Sequence, residues 1–183
     1  DLRFNYEVLG WRMYKLWNIS PAANMAMLWR MTNTNKLNKV INEIMWWPTK
    51  RIRLDASSLS DDKIKLFAIK YNKLKPQILY GYVGAIEQFA LVVKKLNIII
   101  NPPKLVFVTS SPTTNIQKKL FKEIFKAPIL DQYGSCEVMW IANNCPNTNN
   151  LHLNYDYRHI DIIDANGLNV VNEEYGNIAI TDL

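Results

Sequence analysis

The sequence predicts an α/β fold, a mainly parallel sheet flanked by helices with a small antiparallel β extension at the C-terminus. Three observations carry this. Short β-type runs alternate with helical patterns from about residue 51 to 134, the helical patterns keep their apolar residues on one face, and beyond residue 138 the spacing changes to a period of two.

The β-type runs lie at 51–55, 77–82, 104–109 and 128–133. Between them Ile64, Phe67, Ala68, Tyr71 and Leu74 recur at helical spacing, as do Ile86, Phe89, Ala90, Val93 and Leu96, and then Ile116, Leu120 and Ile124 at intervals of four. Strands joined through helices pair parallel, because a tight hairpin can join only antiparallel neighbours. Helix starts are expected at Ser60 before Asp61-Asp62, and at Ser111 before Pro112, each a capping residue followed by acids or by a first-turn proline. After Glu137 come an apolar stretch at 138–142, a polar loop at 143–150 around Cys145-Pro146, and two alternating runs, 157–163 before the turn Ala165-Asn166-Gly167 and 177–181 after it. In the first 50 residues, Ser20-Pro21 suits a helix start, 26–31 suits a buried strand, and Trp46-Trp47-Pro48 ends a helix running from Leu37. The expected division is a helical or irregular lead-in at 1–50, a parallel α/β nucleotide-binding subdomain at 51–137, and a loop with an antiparallel hairpin at 138–183.

The 183 residues suffice for a core without staples, and 49% hydrophobic with 21% charged residues is a globular composition. No apolar run approaches the roughly 20 residues that span a bilayer, so membrane insertion is not expected. The net charge of +6 does not point to nucleic acid, because the lysines are spread over helical faces and form no stripe interleaved with aromatics. Lys63, Lys65, Lys70, Lys73, Lys94, Lys95, Lys118, Lys119, Lys122 and Lys126 read as solvated helix faces. Two cysteines nine apart and no leader-like start fit a reducing cytoplasm.

The chemistry concentrates in Asp131-Gln132-Tyr133-Gly134-Ser135-Cys136-Glu137, directly behind the apolar Pro128-Ile129-Leu130. Tyr133 offers a flat face to a base, Gly134 permits close approach of backbone to phosphate, and Ser135 can bond a phosphate oxygen. Glu137 is a hard oxygen ligand suited to Mg²⁺. The same run also fits a strand-ending turn with an exposed glutamate. Two further loops fall at the carboxyl ends of predicted strands, where open parallel sheets bind ligands: Tyr80-Gly81-Tyr82-Val83-Gly84 and Thr109-Ser110-Ser111-Pro112-Thr113. Core packing of the tyrosines and helix capping by the serines are the plainer alternatives. His159, in an alternating strand, reads as a rim histidine rather than a general base. Cys145 and His152, with Cys136 as a distant third, are candidate Zn²⁺ ligands, set against a plain polar loop with a half-buried cysteine.

The ordered set LYGYVGAIEQFA, KLVFVTSSP, DQYGSCE, NCPNTNNLHLN, HIDIIDANG and YGNIAITDL resembles the adenylate-forming ligases of the phenylacetate-CoA ligase type, including relatives in capsular polysaccharide loci. The likeness runs from about residue 50 to the last residue. It implies AMP-forming ligation, in which a carboxylate attacks the α-phosphate of ATP to give an acyl-adenylate and pyrophosphate, and coenzyme A or another acceptor then takes the acyl group. It further implies that Tyr133 stacks on adenine with Asp131 and Gln132 along its edge, and that Ser135 and Cys136 face the α-phosphate. Glu137 would bind Mg²⁺ as the catalytic carboxylate. Ser110, Ser111 and Pro112 would wrap the other side of the adenine, and Tyr82, Val83, Gly84 and Ala85 would border the pocket of a small carboxylic acid, where Tyr80 and Tyr82 suit an aromatic or sugar-linked one.

Three positions depart from that family's pattern. Cys136 stands where threonine or serine is usual and is a poor donor to phosphate. Pro112 stands where glutamate is common, and Asn177 where an acid often follows the last glycine. The sequence contains no Ser/Thr/Gly-rich phosphate loop and no lid domain with its adenylation lysine. The expectation is an internal piece of a longer ligase, inactive alone, with the remainder of its own chain as partner. A non-catalytic nucleotide-binding or protein-interaction module is the alternative.

Overall fold

The structure, a computed structural model, describes residues 2–31, 41, 44–135, 137–171 and 174–182. Most of the helix expected from Leu37 lies outside the described residues, as does Cys136. Four helices are described: α1 (Leu2–Leu16), α2 (Asp61–Leu74), α3 (Val83–Lys95) and α4 (Asn115–Phe125). The strands are β1 (Met25–Trp29), β2 (Arg51–Asp55), β3 (Ile78–Tyr82), β4 (Leu105–Thr109), β5 (Ile129–Tyr133), β6 (Ala142–Cys145), β7 (Thr148–Leu153), β8 (Arg158–Ile163) and β9 (Asn177–Asp182).

A seven-stranded sheet runs in the order β2-β1-β3-β4-β5-β6-β7, parallel as far as β5 and antiparallel from there. β8 and β9 form a separate antiparallel pair, with Ile160 opposite Ile180. The parallel strands are covered on both faces, which is why β4 reads Leu-Val-Phe-Val-Thr and is buried throughout. Alternate residues go to opposite layers. Ala26, Leu28, Leu79, Val106 and Val108 meet the apolar faces of α2, α3 and α4, whose Ile64, Phe67, Phe89, Phe121 and Phe125 are buried. Met25, Met27, Ile78, Leu105 and Phe107 point the other way, against Leu9 and Met13 of α1 and the indole of Trp140.

The three predicted crossover helices form, and Ser60 caps α2 by accepting from the Lys63 N–H. In α4 the buried residues are Phe121 and Phe125, whereas Ile116 of the expected apolar face is 79% exposed and Leu120 and Ile124 are half-buried. The start expected at Ser111-Pro112 does not form. Thr114 caps α4 instead, in a reciprocal capping box with Gln117 that satisfies two orphan donors at once. Ser110 has a φ of 83° and turns the chain out of β4, so 111–113 remain loop.

The loop expected at 80–84 is likewise absent. Residues 80–82 complete β3 and α3 begins at Val83. Gly81 lies in register with Leu28, and a Cβ there would stand 2.6 Å from the Leu28 carbonyl oxygen, so this glycine serves strand pairing.

In the lead-in, Ser20-Pro21 forms a turn rather than a helix start, whereas the buried strand expected at 26–31 forms as β1 at 25–29 and inserts between β2 and β3. Helix α1 escapes sequence reading because no acid in its first turn marks its start; Leu9, Met13 and Tyr14 are among the residues that pack it on the sheet.

The polar loop expected at 143–150 is a hairpin, β6 to β7. Asn143 and Asn144 in it, and Asn154 just after it, are buried because their amides hydrogen-bond backbone. Asn144 Nδ2 donates to the Ile129 carbonyl at 2.9 Å, and Asn154 Nδ2 donates to the Trp140 carbonyl at 2.8 Å. Arg158, 1% exposed, also donates to the Trp140 carbonyl. Among the described residues no helix is long and apolar enough to cross a membrane.

Candidate nucleotide site

β4 and β5 are parallel neighbours, with Val108 opposite Asp131, so the segments leaving their carboxyl ends emerge side by side. Between them lies a cavity of about 310 Å³ lined by 110–113, Lys118, 131–134 and Leu151. That volume is at the lower end of the range for small-molecule pockets. Ser110, Ser111 and Pro112 thus meet Asp131, Gln132, Tyr133 and Gly134 around one space.

Each wall has a local cause. Ser110 is held at positive φ, a conformation costly for a residue with a Cβ, and it redirects the loop toward β5. Asp131 has its backbone N–H bound at 2.8 Å by the Oδ1 of Asn144. Gln132 is buried, while Tyr133 is 44% exposed at the strand end and lines the cavity. Gly134 is hemmed in: a Cβ would meet Gln132 Nε2 at 2.9 Å and the Trp140 backbone nitrogen at 3.0 Å.

Ser135 closes the following turn. Its backbone N–H donates to the Val138 carbonyl at 2.9 Å, and its Oγ accepts from the Val138 N–H at 3.0 Å. The Ser135 hydroxyl, then the Glu137 backbone N–H, hold the exposed Glu137 carboxyl below the usual carboxylate range. Glu137 is therefore ionised at neutral pH. An exposed, ionised carboxylate suits a hard divalent cation, so the residue fits Mg²⁺ on donor chemistry. Neither Ser135 nor Glu137 lines the cavity, whereas Tyr133 and Asp131 do.

The tyrosines of β3 are placed differently. Tyr82 is in register with Thr109, one residue before Ser110, yet neither it nor Tyr80 lines the cavity. Both rings stack on Trp29, with centroids 4.2 Å away for Tyr82 and 4.9 Å for Tyr80, and Tyr80 continues onto Phe107 at 4.4 Å. Burial pushes the Tyr80 phenol well up, so it stays neutral. Val83 and Ala85 are buried on the side of α2 to α4, while Gly84 is exposed with open space around its Cα.

Cys145 and His152 meet across the β6–β7 hairpin, Sγ to Nε2 at 3.5 Å. A structural zinc takes four ligands, and no group of three or more candidate ligands occurs among the described residues. The described residues do not assemble a zinc site. His159 pairs with Asp161 at 3.0 Å on the exposed hairpin, away from the cavity lining.

Sequence reasoning assigned no role to Thr113, Lys118, Leu151 or Trp29. Thr113 lay in a loop already singled out. Lys118 read as one more solvated lysine of an amphipathic helix, since periodicity does not tell one polar face from another. Leu151 and Trp29 carried none, because their positions depend on the β6–β7 hairpin and on the insertion of β1.

No family model matches the chain. Protein CapK of Staphylococcus aureus is 25% identical over 103 residues, which is 56% of this chain and 21% of that protein. A 2-hydroxyisobutyryl-CoA ligase, solved in an open conformation with 2-HIB-AMP and CoA, superimposes with a TM-score of 0.72 and 14% identity over 93% of this chain and 38% of its own. The anthranilate CoA ligase AuaEII, solved with anthranoyl-AMP, gives 0.63 and 15% over 93% of this chain and 34% of its own. The amide bond synthetase McbA from Marinactinospora thermotolerans gives 0.66 and 10% over 96% and 35%. The chain spans about a fifth of the curated relative and well under half of each solved structure. Over nearly its whole length it has the fold of the AMP-forming CoA ligases, the fold its motifs led one to expect.

Proposed function

We propose that the chain forms the adenine- and Mg²⁺-facing part of an AMP-forming ligase, which activates a small carboxylic acid with ATP to an acyl-adenylate and passes the acyl group to coenzyme A or another acceptor. The observation that carries this reading is the cavity at the ends of β4 and β5, walled by Ser110, Ser111 and Pro112 on one side and by 131–134 on the other. Strand ends of an open parallel sheet collect loop amides and helix starts, and so suit nucleotides.

In this reading Tyr133 stacks on the base, Asp131 and Gln132 border its edge, and the 110–112 loop covers the opposite face. Ser135 and Cys136 face the α-phosphate. Glu137 holds Mg²⁺, which when bound neutralises charge on the phosphate oxygens. Tyr80 and Tyr82, with the exposed Gly84, border the acyl group, Trp29 being stacked on the two rings, while Val83 and Ala85 anchor the start of α3 in the core behind them. The residues of this chain supply position and charge complementarity for an in-line displacement at phosphorus, and no covalent step falls on them. The 183 residues alone do not adenylate, because they hold no phosphate loop and no lid lysine; those functions belong to a longer chain acting in the cytoplasm.

The test is calorimetric titration of the chain with AMP, using Tyr133→Ala beside the wild type. Saturable binding that Tyr133→Ala weakens by about tenfold, as base stacking is worth roughly 1–3 kcal/mol, supports the reading. Binding that is absent or indifferent to Tyr133 overturns it. A parallel ATP–pyrophosphate exchange assay is expected to stay at the no-protein level.

A further inference from the structure

Lys118 differs from every other lysine among the described residues: it is half-buried and the rest are exposed. Lys94 and Lys95 reach Glu123 and Asp61 in surface ion pairs. The Lys118 ammonium has no hydrogen-bond or ion-pair partner among the described residues, although it lines the cavity described above. Ordering a lysine stem and partly desolvating its charge are both unfavourable, so such a group gains when an acceptor enters beside it.

Thr113 gives a second, independent sign. Its residue lines the same cavity, and its Oγ1 is buried with no hydrogen-bond partner among the described residues. Buried hydroxyls are nearly always satisfied, and one left over in a cavity wall marks a place where the protein alone does not complete the hydrogen bonding.

The end of the ligand that Lys118 meets follows from the lining. Ser135 and Glu137, proposed for phosphate and metal, are not part of it, whereas Asp131 and Tyr133 are. The cavity is therefore the base end. An ionised carboxylate only accepts and an ammonium only donates. A planar ring with an amino donor and ring-nitrogen acceptors, adenine, satisfies both beside the Tyr133 face.

We propose that Lys118 is a base-reading residue, donating a charge-assisted hydrogen bond to a ring nitrogen of bound adenine while Asp131 accepts from the exocyclic amino group. The assignment rests on the nucleotide reading of the cavity. It deepens that reading by naming a donor on α4 that sets the preference for adenine.

The experiment is titration of the chain with AMP and, separately, with adenosine, using wild type, Lys118→Met and Lys118→Arg, with thermal melts to confirm equal folding. Lys118→Met keeps the stem and removes the donor, and is expected to weaken AMP and adenosine by the same factor, about tenfold, as for loss of one charge-assisted bond. Lys118→Arg is expected to keep most of the affinity. A loss confined to AMP would place the charge on the phosphate and overturn base reading, as would unchanged binding by Lys118→Met. If the wild type binds neither ligand, the nucleotide reading itself fails and takes this assignment with it. If the wild type binds both and Lys118→Met is silent, only Lys118 is removed.

Discussion

The carboxamide of Asn144 holds the backbone on either side of Leu130: its Oδ1 accepts from the Asp131 N–H at 2.8 Å and its Nδ2 donates to the Ile129 carbonyl at 2.9 Å. A side chain on β6 thus does for β5 what a further length of strand would do. Asn144 is 6% exposed, so Asn144→Ala leaves two backbone groups without partners and without water. The expected cost is about 2 kcal/mol or more. A thermal melt should fall by roughly 4–8 °C, and an unchanged melt would show that β5 does not depend on this bridge.

Gly134 tests whether the cavity depends on the close packing of its own wall. A Cβ there would press on the Trp140 backbone nitrogen at 3.0 Å and the Val138 carbonyl at 3.3 Å, and backbone atoms yield only by moving the turn. Gly134→Ala is therefore expected to displace Tyr133 and weaken AMP binding by about tenfold or more, at a stability cost of about 1–3 kcal/mol. Wild-type affinity for AMP in this variant would count against a role for the turn in shaping the site.

What could be read from the sequence follows from how local its cause is. The strands β1 to β5 and the helices α2 and α3 were legible because burial writes a period into the chain, as in Ile64, Phe67, Ala68 and Tyr71. Helix α4 was found with its face misread, since Phe121 and Phe125 are buried and Ile116 is exposed. The strand-end rule for open parallel sheets placed three loops at one sheet edge, and those after β4 and β5 meet around the cavity. The β6–β7 hairpin was not legible. Asn143 and Asn144 are buried with side-chain bonds that reach residues as distant in sequence as Ile129, and composition shows polarity without showing what satisfies it. The start of α4 was misplaced for a local reason: Ser111-Pro112 and Thr114 with Gln117 are both plausible starts, and the positive φ at Ser110 excludes the first. Lys118 was assigned to solvent because periodicity separates apolar from polar faces but does not say which polar face looks into a cavity.

Tyr71 predicts a gain rather than a loss. The ring is fully buried beside Phe67 and Phe89, yet its hydroxyl has no hydrogen-bond partner among the described residues, and burial pushes its ionisation far up. Tyr71→Phe keeps the packing and removes the unsatisfied group. Stability should rise by about 1 kcal/mol, read as a melt higher by roughly 2–4 °C. A decrease would mean that the hydroxyl is satisfied within the native fold.

The sign of the Glu137 shift sets a pH dependence. The Ser135 hydroxyl and the Glu137 backbone N–H favour the ionised carboxyl and lower its ionisation point, so the charge persists as pH falls below the usual carboxylate range. A carboxylate depressed in the folded state adds stability above its unfolded ionisation point, and that contribution is lost as pH falls through the folded one. Nothing is therefore expected to change near neutrality. The useful readout is the Mg²⁺-dependent part of ATP affinity, measured as the difference between titrations with and without Mg²⁺ from neutral pH downward. In the wild type this increment should survive into the acid range and collapse only below the usual carboxylate midpoint. Ser135→Ala removes the largest stabiliser of the charge, so its collapse should move to higher pH whatever the loss in overall affinity. Glu137→Gln keeps size and hydrogen bonding but no charge, and should show no increment at any pH while melting like the wild type. An increment that survives Glu137→Gln removes this residue from the metal site, and a collapse that Ser135→Ala leaves in place removes Ser135 as the group that tunes it.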